Sequence, residues 1–314
     1  MADGRFAPSP TGELHLGNLR TALVAWLFAR SSGDRFVIRM EDLDRVTSSP
    51  QHEARQLADL TALGLDWDGE IVRQSERFDR YDAVIARLAA AGLTYPCYCS
   101  RREIREAVSA PHGAAPEGVY PGTCRTLTAR ERHEREAAGR PPAIRLRTDG
   151  QVVAFTDRIA GRVQGVVDDV VLRRNDGVPA YNLAVVLDDA EQGIDEVVRG
   201  DDLLLSTPSQ IHLGRLLGLA PPTYAHVPLV LGSDGARLAK RHGAVTLSAL
   251  AAAGVTPSHV VSRLAVSLEL AAPGESVTAN GLVDRFDPAK LPRQPWVLEP
   301  SPLGLGGRPP DREG

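Results

Sequence analysis

The stretch His15-Leu-Gly17-Asn18 stands just before apolar residues at helical spacing. A helix start carries unpaired N–H groups and the positive end of the helix dipole, and both attract phosphate. Gly17 would let the backbone approach an adenine ring or a ribose. His15 has a ring N–H that can meet a phosphoryl oxygen as charge develops in a transition state. A second cluster, Arg237-Leu-Ala-Lys240-Arg241, follows Gly232-Ser-Asp-Gly235. Glycines make that loop supple, and its cations can clamp a triphosphate and stabilise charge during nucleotidyl transfer. Taken singly, the plain alternatives are a loop histidine and a solvated basic turn. The phosphate loop GxxxxGK[ST] is missing, which disfavours an ordinary P-loop NTPase.

Cys97, Cys99 and Cys124 are the only three cysteines and lie in one short stretch. Reduced thiolates at such spacing suit a tetrahedral zinc ion, which needs a fourth ligand. Tyr120, His112 and His133 are the neighbours able to supply it. Ligand chemistry favours a neutral imidazole over a phenol, whose pKa of about 10 the metal would have to lower. Three ordinary core cysteines are the plain alternative.

The elements that must hold these groups read as follows. Residues 4–7 form a short strand broken by Pro8 and Pro10, and a helix follows with Leu19, Leu23, Trp26 and Leu27 on one face and Asn18 as its cap. A strand over 35–40 completes a strand–loop–helix–strand order, which suggests an α/β nucleotide-binding layer. Helices are expected from Pro50 to Gly64 and from Phe78 to Gly92. Residues 130–137 are charged and helix-forming, and strands are expected at 143–146, 152–155 and 166–172. A helix from Tyr181, a helix over 208–217, a strand over 227–231 and helices at 247–252 and 260–270 follow. The proline-rich 281–314 reads as a partly ordered tail.

The 314 residues carry 36 Lys plus Arg against 40 Asp plus Glu, so no uniformly basic coat exists, although a local nucleic-acid patch is compatible with that balance. Arg101, Arg102, Arg105, Arg125 and Arg130 are one candidate patch, with a solvated helix face as the alternative. No apolar run reaches the roughly 20 residues of a membrane helix, and the N-terminus lacks the layout of a signal peptide. A cytoplasmic protein without a membrane partner is expected.

Longer motifs carry a resemblance. Residues 5–18, Arg-Phe-Ala-Pro-Ser-Pro-Thr-Gly-Glu-Leu-His-Leu-Gly-Asn, resemble the first signature of class I glutamyl-tRNA synthetases. The 232–243 loop resembles their second signature. Residues 36–45, 172–189 and 197–204 are similar to the same family and stand in the same order. Asn18 stands where the class usually has a second histidine. Arg237 and Ala239 replace a common lysine and serine, while Lys240 keeps the central cation. The short stretch after the second signature leaves room for only a small helical remnant. In this the chain resembles the shortened paralogous family of glutamyl-queuosine tRNA(Asp) synthetases.

That resemblance implies an α/β fold: a class I synthetase Rossmann-type core with a zinc-containing insertion and a small helical C-terminal region. The expected divisions are 1–94 and 166–245 for the halves of the core, 95–165 for the insertion, 246–297 for the helical remnant and 298–314 for a flexible tail. It implies an ATP-dependent ligase that activates L-glutamate without tRNA and transfers it to the queuosine base of tRNA(Asp). ATP with Mg²⁺ would meet His15, Gly17, Asn18, Arg237 and Lys240, with His15 and Lys240 catalytic. Glutamate would meet Arg5, Phe6, Ala7, Pro8, Ser9, Glu41, Tyr181 and Arg199. The physics suits glutamate: guanidinium groups bind carboxylates, Glu41 can hold the ammonium, and Tyr181 and Ser9 satisfy remaining polar atoms. The resemblance also implies one structural zinc held by Cys97, Cys99, Tyr120 and Cys124. A monomer is expected. The rival readings are a minimal glutamyl-tRNA synthetase charging tRNA(Glu) and a non-catalytic synthetase-like RNA-binding protein.

Overall fold

A computed structural model describes residues 3–100, 102–104, 120–236, 238, 245–299 and 306–307. Arg101, Arg105, His112, Arg237 and Lys240 lie outside them. The elements of the first half are β1 (Gly4–Phe6), α1 (Leu16–Ser31), β2 (Phe36–Met40), α2 (Pro50–Ala62), β3 (Val72–Arg73), α3 (Phe78–Ala90) and β4 (Thr94–Cys97). Then come α4 (Ala129–Ala137), β5 (Ala143–Leu146), β6 (Val152–Asp157), β7 (Gly161–Val166), β8 (Val171–Arg173), α5 (Tyr181–Glu191) and β9 (Glu196–Gly200). The last set is α6 (Thr207–Leu216), β10 (Thr223–Val227), β11 (Val230–Leu231), α7 (Leu247–Ala252), α8 (Pro257–Ser267), α9 (Ala279–Val283), β12 (Trp296–Glu299) and β13 (Gly306–Gly307).

The main sheet has seven strands in the order β3-β2-β1-β9-β10-β6-β7. All its neighbours run parallel except β6 and β7, which form an antiparallel hairpin at one edge. Parallel strands buried on both faces need continuous apolar runs, and β2 is buried along its whole length. Strand order reverses between β1 and β9, and the crevice outside the carboxyl ends of such strands is where open α/β sheets bind ligands.

Helix α1 is apolar nearly all round because it is covered nearly all round, from Leu16 to Ala29. The sheet covers one side and the C-terminal helices the other; Phe28 meets Phe286 edge-on at 5.1 Å between ring centroids. Buried Arg20 ties these layers together by donating to the Pro228 carbonyl at 2.8 Å and to the Ser267 hydroxyl at 3.1 Å. Burial pulls its pKa down to about 10, against the opposing field of Asp201.

The structure departs from the sequence reading in several places. The α1 cap is His15, and Asn18 occupies the third helical position. The expected 166–172 strand divides between β7 and β8, which belong to different sheets. Pro228, which cannot donate to a ladder, splits the expected 227–231 strand into β10 and β11. Residues 95–165 serve two sheets: β5 joins β4 and β8 in a small antiparallel sheet, while β6 and β7 extend the main one. Residues 281–299, expected within a partly ordered tail, hold regular structure: β12 pairs with β11 and inserts Trp296 and Leu298 into the main core. The 298 boundary therefore cuts through a strand.

Candidate active site

A cleft of about 570 Å³ opens at the carboxyl ends of β1, β2, β9 and β10. The irregular chain after β1 contributes Ala7, Pro8 and Ser9, and the end of β2 is followed by Glu41. Arg5, Phe6, Tyr181 and Arg199 complete the predicted glutamate set around the same space, and His15, Gly17 and Asn18 line it as well. Two prolines keep the 7–12 stretch from continuing β1. It is pinned instead by Gln56, whose amide donates to the Ser9 carbonyl at 3.0 Å and the Gly12 carbonyl at 2.7 Å.

His15 Nδ1 accepts the backbone N–H groups of Gly17 and Asn18 at 3.1 and 3.3 Å. Asn18 Oδ1 accepts the His15 N–H in turn at 3.2 Å, closing a capping box. A ring nitrogen that accepts cannot carry the proton, so Nε2 is the donor nitrogen of a neutral imidazole. Gly17 makes this possible: a Cβ there would stand 3.0 Å from Cε1 and 3.1 Å from Nδ1 of the ring.

Below lies a buried ionic chain. Arg5 donates to Asp189 from Nε at 3.0 Å and to the Val198 carbonyl at 3.0 Å. Arg39 donates to the same carboxylate at 2.7 Å and to Glu41 at 3.4 Å. Burial alone would lower the Arg39 pKa, but Asp189, Glu41 and Asp188 outweigh it and raise it. Asp189 is held below the usual carboxylate range because Arg39 and Arg5 overcome its burial. Burial raises Glu41, and Arg39 and Arg5 offset this only in part. An ammonium arriving beside Glu41 would favour its ionised form against that burial.

Arg199 differs from Arg5. Its guanidinium is buried, and its partners are neutral: His226 Nε2 at 3.1 Å, Thr207 Oγ1 at 2.8 Å and the Tyr181 hydroxyl at 3.5 Å. Among the described residues no carboxylate pairs with it. A buried charge without a counter-charge is costly, and an anionic ligand in the cleft would supply one. Behind it, His226 Nδ1 lies 2.6 Å from Asp157 Oδ2. Sequence reading missed Asp157, His226, Thr207, Arg39 and Asp189. The 36–45 and 172–189 motifs run through Arg39 and Asp189, but nothing in them singles these two out.

The thiols of Cys97, Cys99 and Cys124 lie within 4.8 Å of one another. The Tyr120 hydroxyl stands 3.3 Å from Cys97 Sγ and 3.6 Å from Cys99 Sγ, and Cys99 and Cys124 Sγ are 3.4 Å apart. A tetrahedral zinc with Zn–S near 2.3 Å needs sulfurs roughly 3.8 Å apart, so this donor set fits. Hydrogen bonds from Cys124 and Cys99 lower the Cys97 pKa. Arg145 stacks on the Tyr120 ring at 3.7 Å, while burial and the hydrogen bonds of Cys97 and Cys124 push the Tyr120 phenol up. His133 is not in this cluster. Of the arginine patch, Arg125 is engaged by Asp169 at 3.1 Å, Arg130 is exposed and pairs with Glu134 at 3.4 Å, and Arg102 is exposed.

The family of class I tRNA synthetases (E and Q), catalytic domain, matches residues 2–303. The glutamyl-Q tRNA(Asp) synthetase of Nocardia farcinica is 61% identical over 94% of this chain and 92% of its own length. That of Symbiobacterium thermophilum is 52% identical over 94% of this chain and 95% of its own. The glutamate–tRNA ligase 1 of Halorhodospira halophila is 43% identical, and the match spans 65% of its length. Among solved structures, the glutamate-tRNA synthetase of Elizabethkingia anophelis superposes with a TM-score of 0.80 at 27% identity, over 96% of this chain and 69% of that one. The chain is therefore a ligase of the class I glutamyl/glutaminyl-tRNA synthetase catalytic family and belongs to its glutamyl-Q tRNA(Asp) synthetase branch.

Proposed function

We propose that this ligase activates L-glutamate with ATP in the absence of tRNA and transfers it to the queuosine base in the anticodon of tRNA(Asp). The observation that carries the first half is Arg199, a buried cation facing the cleft whose partners among the described residues are all neutral. A glutamate side-chain carboxylate supplies the missing charge there, with Tyr181 beside it. Glu41 takes the ammonium. Arg5, already committed to Asp189, braces the floor and has guanidinium hydrogens left for a carboxylate edge.

The α-carboxylate oxygen then attacks the α-phosphorus. A new O–P bond forms, the bridge to the β-phosphate breaks, and pyrophosphate leaves with the electron pair. His15 Nε2–H donates to the α-phosphoryl oxygen as its charge grows, and the α1 N-terminus adds its field. Gly17 and Asn18 line the nucleotide side of the cleft. By resemblance, Lys240 and Arg237 would meet the triphosphate, and Mg²⁺ bound to the phosphates would neutralise part of their charge. In the second step a hydroxyl of the modified base attacks the activated carbonyl. AMP leaves, and the adenylate phosphate takes the hydroxyl proton.

Cys97, Cys99, Cys124 and Tyr120 would hold one structural zinc, which ties β4 to the chain around Tyr120. The reduced thiols suit a cytoplasmic enzyme, and we read the ligase as a monomer. Arg102 and Arg130 are exposed and would meet phosphates of the tRNA partner.

Pyrophosphate exchange tests the reading. Glutamate should drive exchange of labelled pyrophosphate into ATP with no tRNA present, and glutamine should not. Folded, zinc-loaded protein without exchange would favour a non-catalytic RNA-binding role.

A further inference from the structure

The cleft explains Arg199 but not the two groups behind it. Asp157 ends β6, a strand of the edge hairpin, and His226 lies on β10; both are buried. Asp157 Oδ1 accepts the backbone N–H groups of Ile159 and Ala160 at 2.9 and 2.8 Å, and the backbone N–H of His226 is shared between Oδ1 at 3.2 Å and Oδ2 at 3.1 Å. Its Oδ2 faces His226 Nδ1 at 2.6 Å, and His226 Nε2 in turn faces the Nε–H of Arg199 at 3.1 Å. An arginine Nε–H can only donate, so Nε2 must accept and the ring proton must sit on Nδ1, directed at Asp157. Burial and the Arg199 charge lower the His226 pKa despite Asp157, which keeps the ring neutral near pH 7.

We propose that Asp157 and His226 are positioning residues for glutamate recognition: Asp157 selects the His226 tautomer, and that tautomer aims the Arg199 guanidinium at the substrate carboxylate. Neither residue touches substrate. The inference rests on the reading of Arg199 as the holder of that carboxylate.

Asp157→Asn separates this role from simple packing. Only an oxygen can occupy the Oδ1 position, because the N–H groups of Ile159 and Ala160 both point at it. The amide NH₂ is therefore forced toward His226 Nδ1. A donor there drives the ring proton to Nε2, where it opposes the Nε–H of Arg199, the same logic by which a carboxylate-to-amide change misdirects a catalytic histidine. In His226→Gln the introduced amide has no tautomer, and its oxygen can accept from Arg199 in place of Nε2.

The test is the KM for glutamate and for ATP in tRNA-free pyrophosphate exchange, with thermal melts as a check on folding. D157N should raise the glutamate KM about tenfold and leave the ATP KM within about twofold, the scale of one hydrogen bond to a charged group. In the H226Q background, D157N should add less than about twofold. H226A should raise the glutamate KM about tenfold, and H226Q should restore most of it. A D157N enzyme with wild-type glutamate KM, an equal D157N effect in the H226Q background, or equal behaviour of H226A and H226Q each overturns the proposal. If D157N fails to fold, the H226A and H226Q pair decides alone. R199A is the control for the underlying reading. A wild-type glutamate KM in R199A sinks that reading and this inference together, whereas a raised KM in R199A with a normal one in D157N sinks only the inference.

Discussion

Gly17→Ala should separate stability from rate. The new Cβ would stand 3.0 Å from Cε1 and 3.1 Å from Nδ1 of His15, with Val230 Cβ at 3.5 Å on the other side. The ring must move out by a few tenths of an ångström. The Nδ1 bonds to Gly17 and Asn18 already measure 3.1 and 3.3 Å, so that movement breaks or weakens both. Losing the cap costs about 1 kcal/mol. Replacing glycine by alanine in a helix returns up to about 1 kcal/mol. The net effect on stability is within about 1 kcal/mol, a shift in Tm of a few degrees at most. The rate behaves differently. Nε2 leaves the position from which we propose that it meets the α-phosphoryl oxygen, and loss of one such donor costs roughly 100-fold to 1000-fold in kcat. A displaced ring keeps part of that, so we expect exchange kcat to fall about 30-fold to 100-fold. The assay is glutamate-dependent pyrophosphate exchange beside a thermal melt. Wild-type kcat in G17A, or a loss of rate that merely follows the unfolded fraction, would refute the reasoning.

Other outcomes follow from the same geometry. R199A should raise the glutamate KM by about 100-fold, the value of a buried charge-assisted pair, with far less change for ATP; steady-state exchange reads both. C97S should lose metal on dialysis and lower the melting temperature, while freshly purified wild type without zinc by elemental analysis would remove the site. Asp59 is buried, and its Oδ2 has no partner among the described residues. Desolvation pushes its pKa up to about 6, against the pull of Arg55. A raised carboxylate pKa gives stability that is present below its unfolded pKa and lost as pH rises through the folded one. D59N should therefore stabilise the protein by about 1–2 kcal/mol at pH 8 and by almost nothing at pH 4, measured by urea titration. R20M leaves the Pro228 and Ser267 carbonyls unpaired and should cost about 2–4 kcal/mol in the same titration.

Much of the core was legible because local rules and the global fold agree there. Glycine and proline punctuate β1, α1 and β2, and their apolar residues need no distant partner to reveal burial. Gly64 closes α2 in the left-handed region, at φ 76°, as its position after the last apolar residue suggested. The cap of α1 was misplaced for a chemical reason. Asparagine is a common cap and histidine a rare one, and only the folded ring of His15 over Gly17 shows which residue accepts the N–H groups. The 281–299 segment misled because its prolines read as part of a partly ordered tail, whereas β12 pairs with β11 and buries Trp296. Arg199, Glu41 and Tyr181 were reachable through the long motifs alone, since no spacing rule joins them. Asp157 and His226 left no such trace. They stand 69 positions apart in ordinary strand sequence and meet only because β6 returns to the edge beside β10.

The central claim concerns where the activated glutamate goes. Labelled glutamate and ATP should be offered with tRNA(Asp) containing queuosine, with the same tRNA lacking it, and with tRNA(Glu). The account predicts label on the queuosine-containing tRNA(Asp) alone, retained after removal of its 3′ end. Label on tRNA(Glu) alone, lost with that 3′ end, would contradict it.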